Sequence, residues 1–283
     1  MPASPIRGPA PYSLVERARI TYRFSLAMGL VLIAGLLRLF LPLFALFGIP
    51  RWWPAAVWFR VFLPVIGVRV VEHGQLADRP ALLAANHISW LDIAALGTRL
   101  GGGFVSKAEV ARWPLVGWFA TGTGTVYLSR GAHKTQFTND SLRARFQDRY
   151  SVAIFPEGTT TAHRLPHLFH SRLFAAAIDN DVVVQPVAIH YPPPQGDTGH
   201  EQHPVAPFIN DIGFMEHLLG ILASPGLTLE LTYVAPIRPT GLDRRKLAEL
   251  TRESICAALG SPGHAGKTAL PPGRARRARV VSG

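Results

Sequence analysis

The sequence predicts an α/β fold, in which a mixed, largely parallel sheet is flanked by helices and preceded by an N-terminal apolar, membrane-associating helical segment. Short apolar runs such as 81–85, 151–155 and 181–189 alternate with amphipathic stretches such as 90–100 and 135–149. This alternation is typical of βαβ units. Polar clusters follow several of the runs directly, and the preceding segment contains few charges.

The composition narrows the class of protein. Of the 283 residues, 48% are hydrophobic and 17% are charged, and the mean hydropathy is +0.19. This composition is more apolar than that of a typical soluble protein but too polar for a chain with many membrane spans. The net charge of +11 suits nucleic acid or an anionic membrane surface, and the apolar, aromatic-rich N-terminus favours the membrane. Cys256 is the only cysteine, which excludes an intramolecular disulfide and a cysteine-based zinc site.

The chain divides into four predicted parts. Residues 1–23 form a basic, partly disordered N-terminus, and residues 24–60 form the membrane-associating helical segment. Residues 61–260 form the α/β domain. Residues 261–283 form a basic, disordered tail whose arginines suit anionic lipid.

The apolar segment has more than one interpretation. A signal peptide is disfavoured, because the region is long and no cleavage site follows it. Residues 24–49 are long enough to span a bilayer, but Arg38 and Pro42 interrupt them and indicate a re-entrant or interfacial hairpin equally well. Arginines 17, 19 and 23 predict that the N-terminus is cytoplasmic. A hairpin, or a second pass through 52–71, returns the chain, so we expect an inner-membrane protein with its α/β domain on the cytoplasmic side.

The elements after residue 65 follow from periodicity and from breaks in it. We expect strands at 68–71, 81–85, 103–106, 125–128, 151–155, 181–189 and 227–234. We expect helices at 90–100, 107–117, 135–149, 171–180, 214–223 and 243–259. Residues 192–213 are rich in Pro, Gly and polar side chains and predict a long loop.

The stretch Asn86-His-Ile-Ser-Trp-Leu-Asp92 follows the apolar run 81–85. Ligands and reacting groups gather at such strand ends in open α/β sheets. Histidine has an unperturbed pKa suited to proton transfer near neutral pH, and a carboxylate can fix its tautomer. A His and an Asp five positions apart also occur by chance. In an ideal helix they diverge by about 140°, so contact between His87 and Asp92 requires a turn at the strand–helix junction.

Two further clusters follow later apolar runs. Ser129-Arg130-Gly131 places a candidate anion-binding arginine at a strand end, although these residues alone favour a surface arginine in a turn. Phe155-Pro-Glu-Gly-Thr-Thr-Thr161 contains a carboxylate at Glu157 and a flexible Gly158. Glu157 has two open roles, as an acceptor of hydrogen bonds from substrate or as a structural carboxylate.

Four blocks in this order resemble the glycerolipid acyltransferase family: NHISWLD (86–92), GTVYLSRG (124–131), FPEGTTT (155–161) and VVVQPVAIHY (182–191). The resemblance covers residues 60–240. It implies transfer of an acyl group from acyl-CoA or acyl carrier protein to a lipid hydroxyl. His87 is then the general base and Asp92 orients it, with no cofactor and no metal. Pro186 matches the block near the site.

The resemblance also implies substrate-binding roles for five residues: Arg130, Glu157, Gly158, Thr159 and Thr160. The expected acceptor is 1-acylglycerol-3-phosphate. Family members with a phosphate acceptor commonly have arginine at the position of Thr160, and threonine supplies no charge to clamp a phosphate. Lyso-ornithine lipid is therefore the alternative acceptor, unless Arg164 substitutes for the missing arginine.

Three alternatives fit these patterns less well. A nucleic-acid-binding protein suits the charge but explains neither the apolar N-terminus nor the strand-end clusters. A His/Asp hydrolase would use water in place of the lipid hydroxyl, but no G-x-S-x-G motif supports a serine hydrolase. A metal site at His163, His167 and His170 is disfavoured, because Pro166 interrupts the helical spacing of the first pair.

Overall fold

The computed structural model describes residues 12–40, 46–48, 50, 52–78, 80–112, 117, 121, 124–128, 132–209 and 212–260. The helices are α1 (Leu14–Leu39), α2 (Trp52–Val65), α3 (Leu91–Leu100), α4 (Ala132–Gln147), α5 (Ala175–Asp179), α6 (Phe214–Ala223) and α7 (Arg244–Gly260). The strands are β1 (Val68–Gly74), β2 (Ala81–Ala85), β3 (Val105–Lys107), β4 (Val126–Leu128), β5 (Val152–Ile154), β6 (Val183–His190) and β7 (Leu227–Tyr233). The predictions for residues 1–11, for Arg130 and for the tail 261–283 lie outside the described residues.

The sheet is mixed and largely parallel, which confirms the predicted fold class. In the part of the chain described, five strands pair in the order β1-β7-β6-β2-β5. Strand β2 is parallel to both neighbours, with Ala84 opposite Ile154 on one side and Pro186 on the other. Strand β7 is antiparallel to β6 and parallel to β1. The parallel pair β3-β4 lies beside β5, where Phe104 bridges to Ala153.

Strand β2 is buried on both faces of the sheet. On one face Leu83 joins a cluster with residues of α2, α3 and α6. On the other face Leu82 and Ala84 join a cluster with residues of α4 and α7. A strand covered on both sides has no exposed face, which explains why 81–85 is a continuous apolar run instead of an alternating one.

Helix α1 begins at Leu14, earlier than the apolar run at residue 24 indicated. The reason is a capping box: the backbone N–H of Glu16 donates to the Ser13 hydroxyl, and the N–H of Ser13 donates to the Glu16 carboxylate. Arginines 17, 19 and 23 therefore lie within the helix. Among the described residues, α1 is the helix long and apolar enough to cross a membrane.

The two N-terminal helices pack against the α/β part of the chain. Arg19 and Arg23 donate to backbone carbonyls at the end of α6, including that of Ser224 at 2.7 Å from Arg23. These carbonyls lie at the negative end of the helix dipole. The Trp58 indole of α2 donates to the Leu30 carbonyl of α1 at 2.8 Å. These hydrogen bonds therefore join α1 to both α2 and α6.

Two predicted helices differ in the structure. Within the predicted helix 107–117, Ala108–Arg112 form a 3₁₀ turn, and residues 113–116 lie outside the described part of the chain. The helix expected at 171–180 is divided into a 3₁₀ turn, Ser171–Phe174, and α5. The other helices agree to within a few residues at their ends.

Candidate active site

Three neighbouring parallel strands bring the candidate site residues together. Strand β5 is followed by Glu157, β2 by His87 and β6 by Tyr191, and the three strands pair in the order β5-β2-β6. Their carboxyl ends therefore meet at one edge of the sheet. The Asn86 side chain fixes the end of β2 to β6, since it donates to the Ile189 carbonyl at 2.9 Å and accepts from the Ile189 N–H at 2.7 Å.

His87 and Asp92 form a hydrogen-bonded pair at this edge. The distance from His87 Nδ1 to Asp92 Oδ2 is 2.8 Å, and the side chains are 16% and 0% exposed. The turn that this contact requires is present, because α3 starts only at Leu91 and leaves His87 in the preceding loop. Asp92 must accept at Oδ2, so Nδ1 carries the proton and the free lone pair belongs to Nε2.

The Asp92 carboxylate is stabilised by the backbone around it. The N–H groups of Ile88 and Ser89 donate to Oδ2 at 2.7 and 2.9 Å. Asp92 also lies in the first turn of α3, where the helix dipole favours negative charge. A fully buried carboxylate costs much free energy unless it is hydrogen-bonded, and here its donors come from the motif itself.

Tyr191 completes the surroundings of Asp92, and sequence reasoning did not identify it. Its hydroxyl donates to Asp92 Oδ1 at 2.6 Å, and its side chain is buried. Burial and the neighbouring carboxylate raise the pKa of Tyr191 well above its ordinary value, so the phenol stays protonated. The only available signal was that Tyr191 ends a block already matched to the family, because nothing in the sequence specifies that β6 lies beside β2.

Glu157 connects the loops that follow β2 and β5. One carboxylate oxygen accepts from the His87 N–H at 2.9 Å, and the other accepts from the His167 N–H at 2.8 Å. Burial raises the pKa of Glu157, while the two backbone hydrogen bonds act in the opposite direction. Both oxygens thus have backbone partners, as the structural role of Glu157 requires.

The residues after Glu157 differ in exposure. Gly158 has φ of +72°, a conformation that glycine adopts without strain, and Gly158 and Thr159 are exposed. Thr160 is half-buried, and its hydroxyl donates to the Phe208 carbonyl. The Phe208 N–H in turn donates to the Ile88 carbonyl at 2.9 Å. The long loop before α6 therefore folds back over both site loops.

Of the two arginines that could bind a phosphate, the structure describes Arg164. Arg130 lies outside the described residues. The Arg164 guanidinium donates to the Leu259 carbonyl at the end of α7, at 2.8 Å. Arg164 is therefore already engaged by a helix C-terminus.

The histidines after Thr161 belong to the loop that Glu157 holds. The rings of His163 and His167 lie 5.6 Å apart in an edge-to-face arrangement, and the His170 ring lies near Gly158. Among the described residues, no group of three or more His, Cys, Asp or Glu side chains is arranged to hold a metal ion. These three histidines are part of the loop next to the site.

Aromatic side chains border the His87–Asp92 pair, the dyad of the candidate site. The Phe155 ring stacks on the His87 imidazole at 4.0 Å between centroids. The Trp90 indole donates to His217 Nδ1 of α6 at 3.0 Å and contacts Phe214. Burial lowers the pKa of His217, which suits the neutral ring that must accept from Trp90.

Comparison with known proteins gives a consistent result. Residues 67–190 match a family model described as Acyltransferase. The chain is 38% identical over 209 residues to a lyso-ornithine lipid O-acyltransferase of Pseudomonas aeruginosa, covering 74% of this chain and 77% of that protein. It is 30% identical over 196 residues to a 1-acyl-sn-glycerol-3-phosphate acyltransferase of Neisseria gonorrhoeae, covering 69% and 75%. The fold is similar to the crystal structure of the 1-acyl-sn-glycerophosphate acyltransferase PlsC of Thermotoga maritima, with a TM-score of 0.60, 18% identity, and coverage of 88% and 98%.

Proposed function

The chain belongs to the glycerolipid acyltransferase family and is an acyltransferase, and from this premise we propose that it moves a fatty acyl group from a thioester to the hydroxyl of a lysolipid, with His87 as general base. The observation that supports this role is the His87–Asp92 hydrogen bond at 2.8 Å. It leaves Nε2 of a partly exposed ring to face substrate.

The proposed reaction needs one proton carrier. Nε2 of His87 takes the proton of the lysolipid hydroxyl as the oxygen attacks the thioester carbonyl carbon. The new C–O bond forms, the C–S bond breaks, and the leaving thiolate takes the proton back from the imidazolium. The Asp92 carboxylate stabilises the imidazolium between these steps. We propose acyl-CoA or acyl carrier protein as the thioester donor.

The proposed acceptor is lyso-ornithine lipid, with 1-acylglycerol-3-phosphate as the second candidate. A phosphate acceptor needs a cationic clamp. Thr160 has no charge and its hydroxyl is used by Phe208, while Arg164 is used by the end of α7. The Pseudomonas relative at 38% identity supports the first acceptor. The Neisseria relative at 30% supports the second, which the sequence analysis placed first.

For the membrane, we propose an attachment by the α1–α2 pair that does not pass through the bilayer twice. Helix α2 has 14 residues, about 21 Å, whereas the hydrocarbon core is about 30 Å thick. Its Ala56 and Leu63 side chains are buried, and Phe59 packs on Gly97 of α3. The contacts of Arg19 and Arg23 with α6 keep the start of α1 beside the α/β part. Because the positive-inside rule predicts that the arginine-rich start of α1 is cytoplasmic, we propose that the α/β part lies on the cytoplasmic side of the inner membrane.

The function is tested with purified protein, a thioester donor and a panel of lysolipids. We expect release of the free thiol only when an acceptor is present, and loss of transfer in His87→Ala. His73→Ala, on the edge strand β1, is the matched control and should retain activity. Thiol release with water alone would instead indicate a hydrolase, and unchanged turnover in His87→Ala would rule out the proposed base.

A further inference from the structure

The Asp92 carboxylate has two oxygens with very different surroundings. Oδ2 accepts from His87 Nδ1 and from the backbone N–H groups of Ile88 and Ser89. Oδ1 accepts from the Tyr191 hydroxyl at 2.6 Å. The backbone donors come from the same turn as His87, but Tyr191 directly follows strand β6, 99 residues along the chain from Asp92.

We infer that Tyr191 is a positioning residue for the reaction, because its hydroxyl fixes the orientation of the buried Asp92 carboxylate and, through it, of the His87 ring that acts as the base. Tyr191 is buried, and its hydroxyl contacts Asp92, which in turn contacts His87. The inference rests on the proposed role of His87.

The tyrosine hydroxyl affects the two protonation states of the dyad unequally. When His87 is protonated, the imidazolium neutralises the Asp92 charge across 2.8 Å. When His87 is neutral, the buried carboxylate depends more on its other donors. Removal of the Tyr191 hydroxyl therefore destabilises the neutral-histidine state more than the protonated one. The dyad should then retain its proton to higher pH.

The test is Tyr191→Phe, assayed as kcat and kcat/KM against pH. We expect the acid limb of kcat/KM to move to higher pH. We expect kcat to fall about tenfold, because the Asp92 carboxylate, and His87 with it, is no longer held in a single orientation. KM for the acceptor should not change, because the Tyr191 side chain is fully buried. A purely structural tyrosine would lower stability without moving the pH profile.

Tyr233→Phe is the matched control. Tyr233 is also buried, and its hydroxyl donates to a carboxylate oxygen of Glu72 at 3.1 Å. It lies on β7, outside the dyad, so the substitution should lower stability but leave the acid limb in place. Replacement of Tyr191 alone by 3-fluorotyrosine, a stronger donor of similar size, should move the acid limb to lower pH and needs no cavity in the core.

The outcomes separate this inference from the proposed function. An inactive His87→Ala together with an unmoved acid limb in both Tyr191 variants overturns the role of Tyr191 alone. An equal shift in Tyr233→Phe also overturns it, because the effect would then be global. An active His87→Ala overturns the proposed function itself.

Discussion

The substitution Asp92→Asn removes the charge of the dyad while its geometry is kept. Oδ2 accepts three donors, so the asparagine carbonyl oxygen must occupy that position. The amide nitrogen then faces Tyr191, whose hydroxyl oxygen can accept once its proton rotates away. The tautomer of His87 and the turn before α3 are therefore preserved in the variant.

The size of the effect follows from the lost attraction between imidazolium and carboxylate. Unit charges about 4 Å apart interact by about 4 kcal/mol at an effective dielectric constant of about 20. Since the imidazolium exists only after proton transfer, this energy is lost mainly in the transition state. A loss of about 4 kcal/mol lowers kcat by about a thousandfold.

The assay compares kcat/KM of wild type and Asp92→Asn across the pH range, with thermal unfolding in parallel. We expect the acid limb to move to lower pH, because the imidazolium has lost its counter-charge. This direction is opposite to that expected for Tyr191→Phe. A folded Asp92→Asn protein with more than about a tenth of wild-type kcat would refute the electrostatic role of Asp92.

Three further outcomes test other parts of the site. Because burial raises the pKa of Glu157, the folded protein binds the proton of this carboxyl group more tightly than the unfolded chain does, and the free energy of unfolding falls as the pH rises through the raised pKa. In urea unfolding, the stability of Glu157→Gln should therefore depend less on pH than that of the wild type. The same pH dependence in both proteins would contradict this role of Glu157. Arg19→Ala combined with Arg23→Ala should lower the thermal midpoint by a few degrees, for a loss of about 1–2 kcal/mol, whereas Arg17→Ala, which loses only a local contact with Tyr12, should not. Thr160→Arg should lower the KM for 1-acylglycerol-3-phosphate, while Thr160→Val, which also loses the bond to Phe208, should not; equal effects of the two would remove the argument from charge.

The sequence predicts the part of the site that depends on where parallel strands end. Apolar runs 81–85 and 151–155 are recognisable alone, and residues that follow parallel strands share an edge. This is sufficient to bring His87 near Glu157. The hydrogen bond from the His87 N–H to the Glu157 carboxylate is not predictable, since it depends on the register in which Ala84 lies opposite Ile154.

Tyr191 and Asn86 show where sequence reasoning is insufficient. Both act across the β2–β6 boundary, and the position of β6 beside β2 follows from packing of the whole sheet. The start of α1 was missed for a local reason. The polar residues Ser13 and Glu16 form a capping box, which a search for apolar runs does not detect.

Helix α6 connects the reaction centre to the membrane attachment. At the start of this helix, Phe214 contacts Trp90, and His217 accepts a hydrogen bond from the Trp90 indole. Trp90 lies in the same loop as His87. At its end, the backbone carbonyls hold Arg23 of α1. Movement of α1 relative to the α/β part would therefore displace the element that packs against the dyad loop. Under the proposed attachment through α1, these contacts fix the position of the His87 loop relative to the membrane-associated helix.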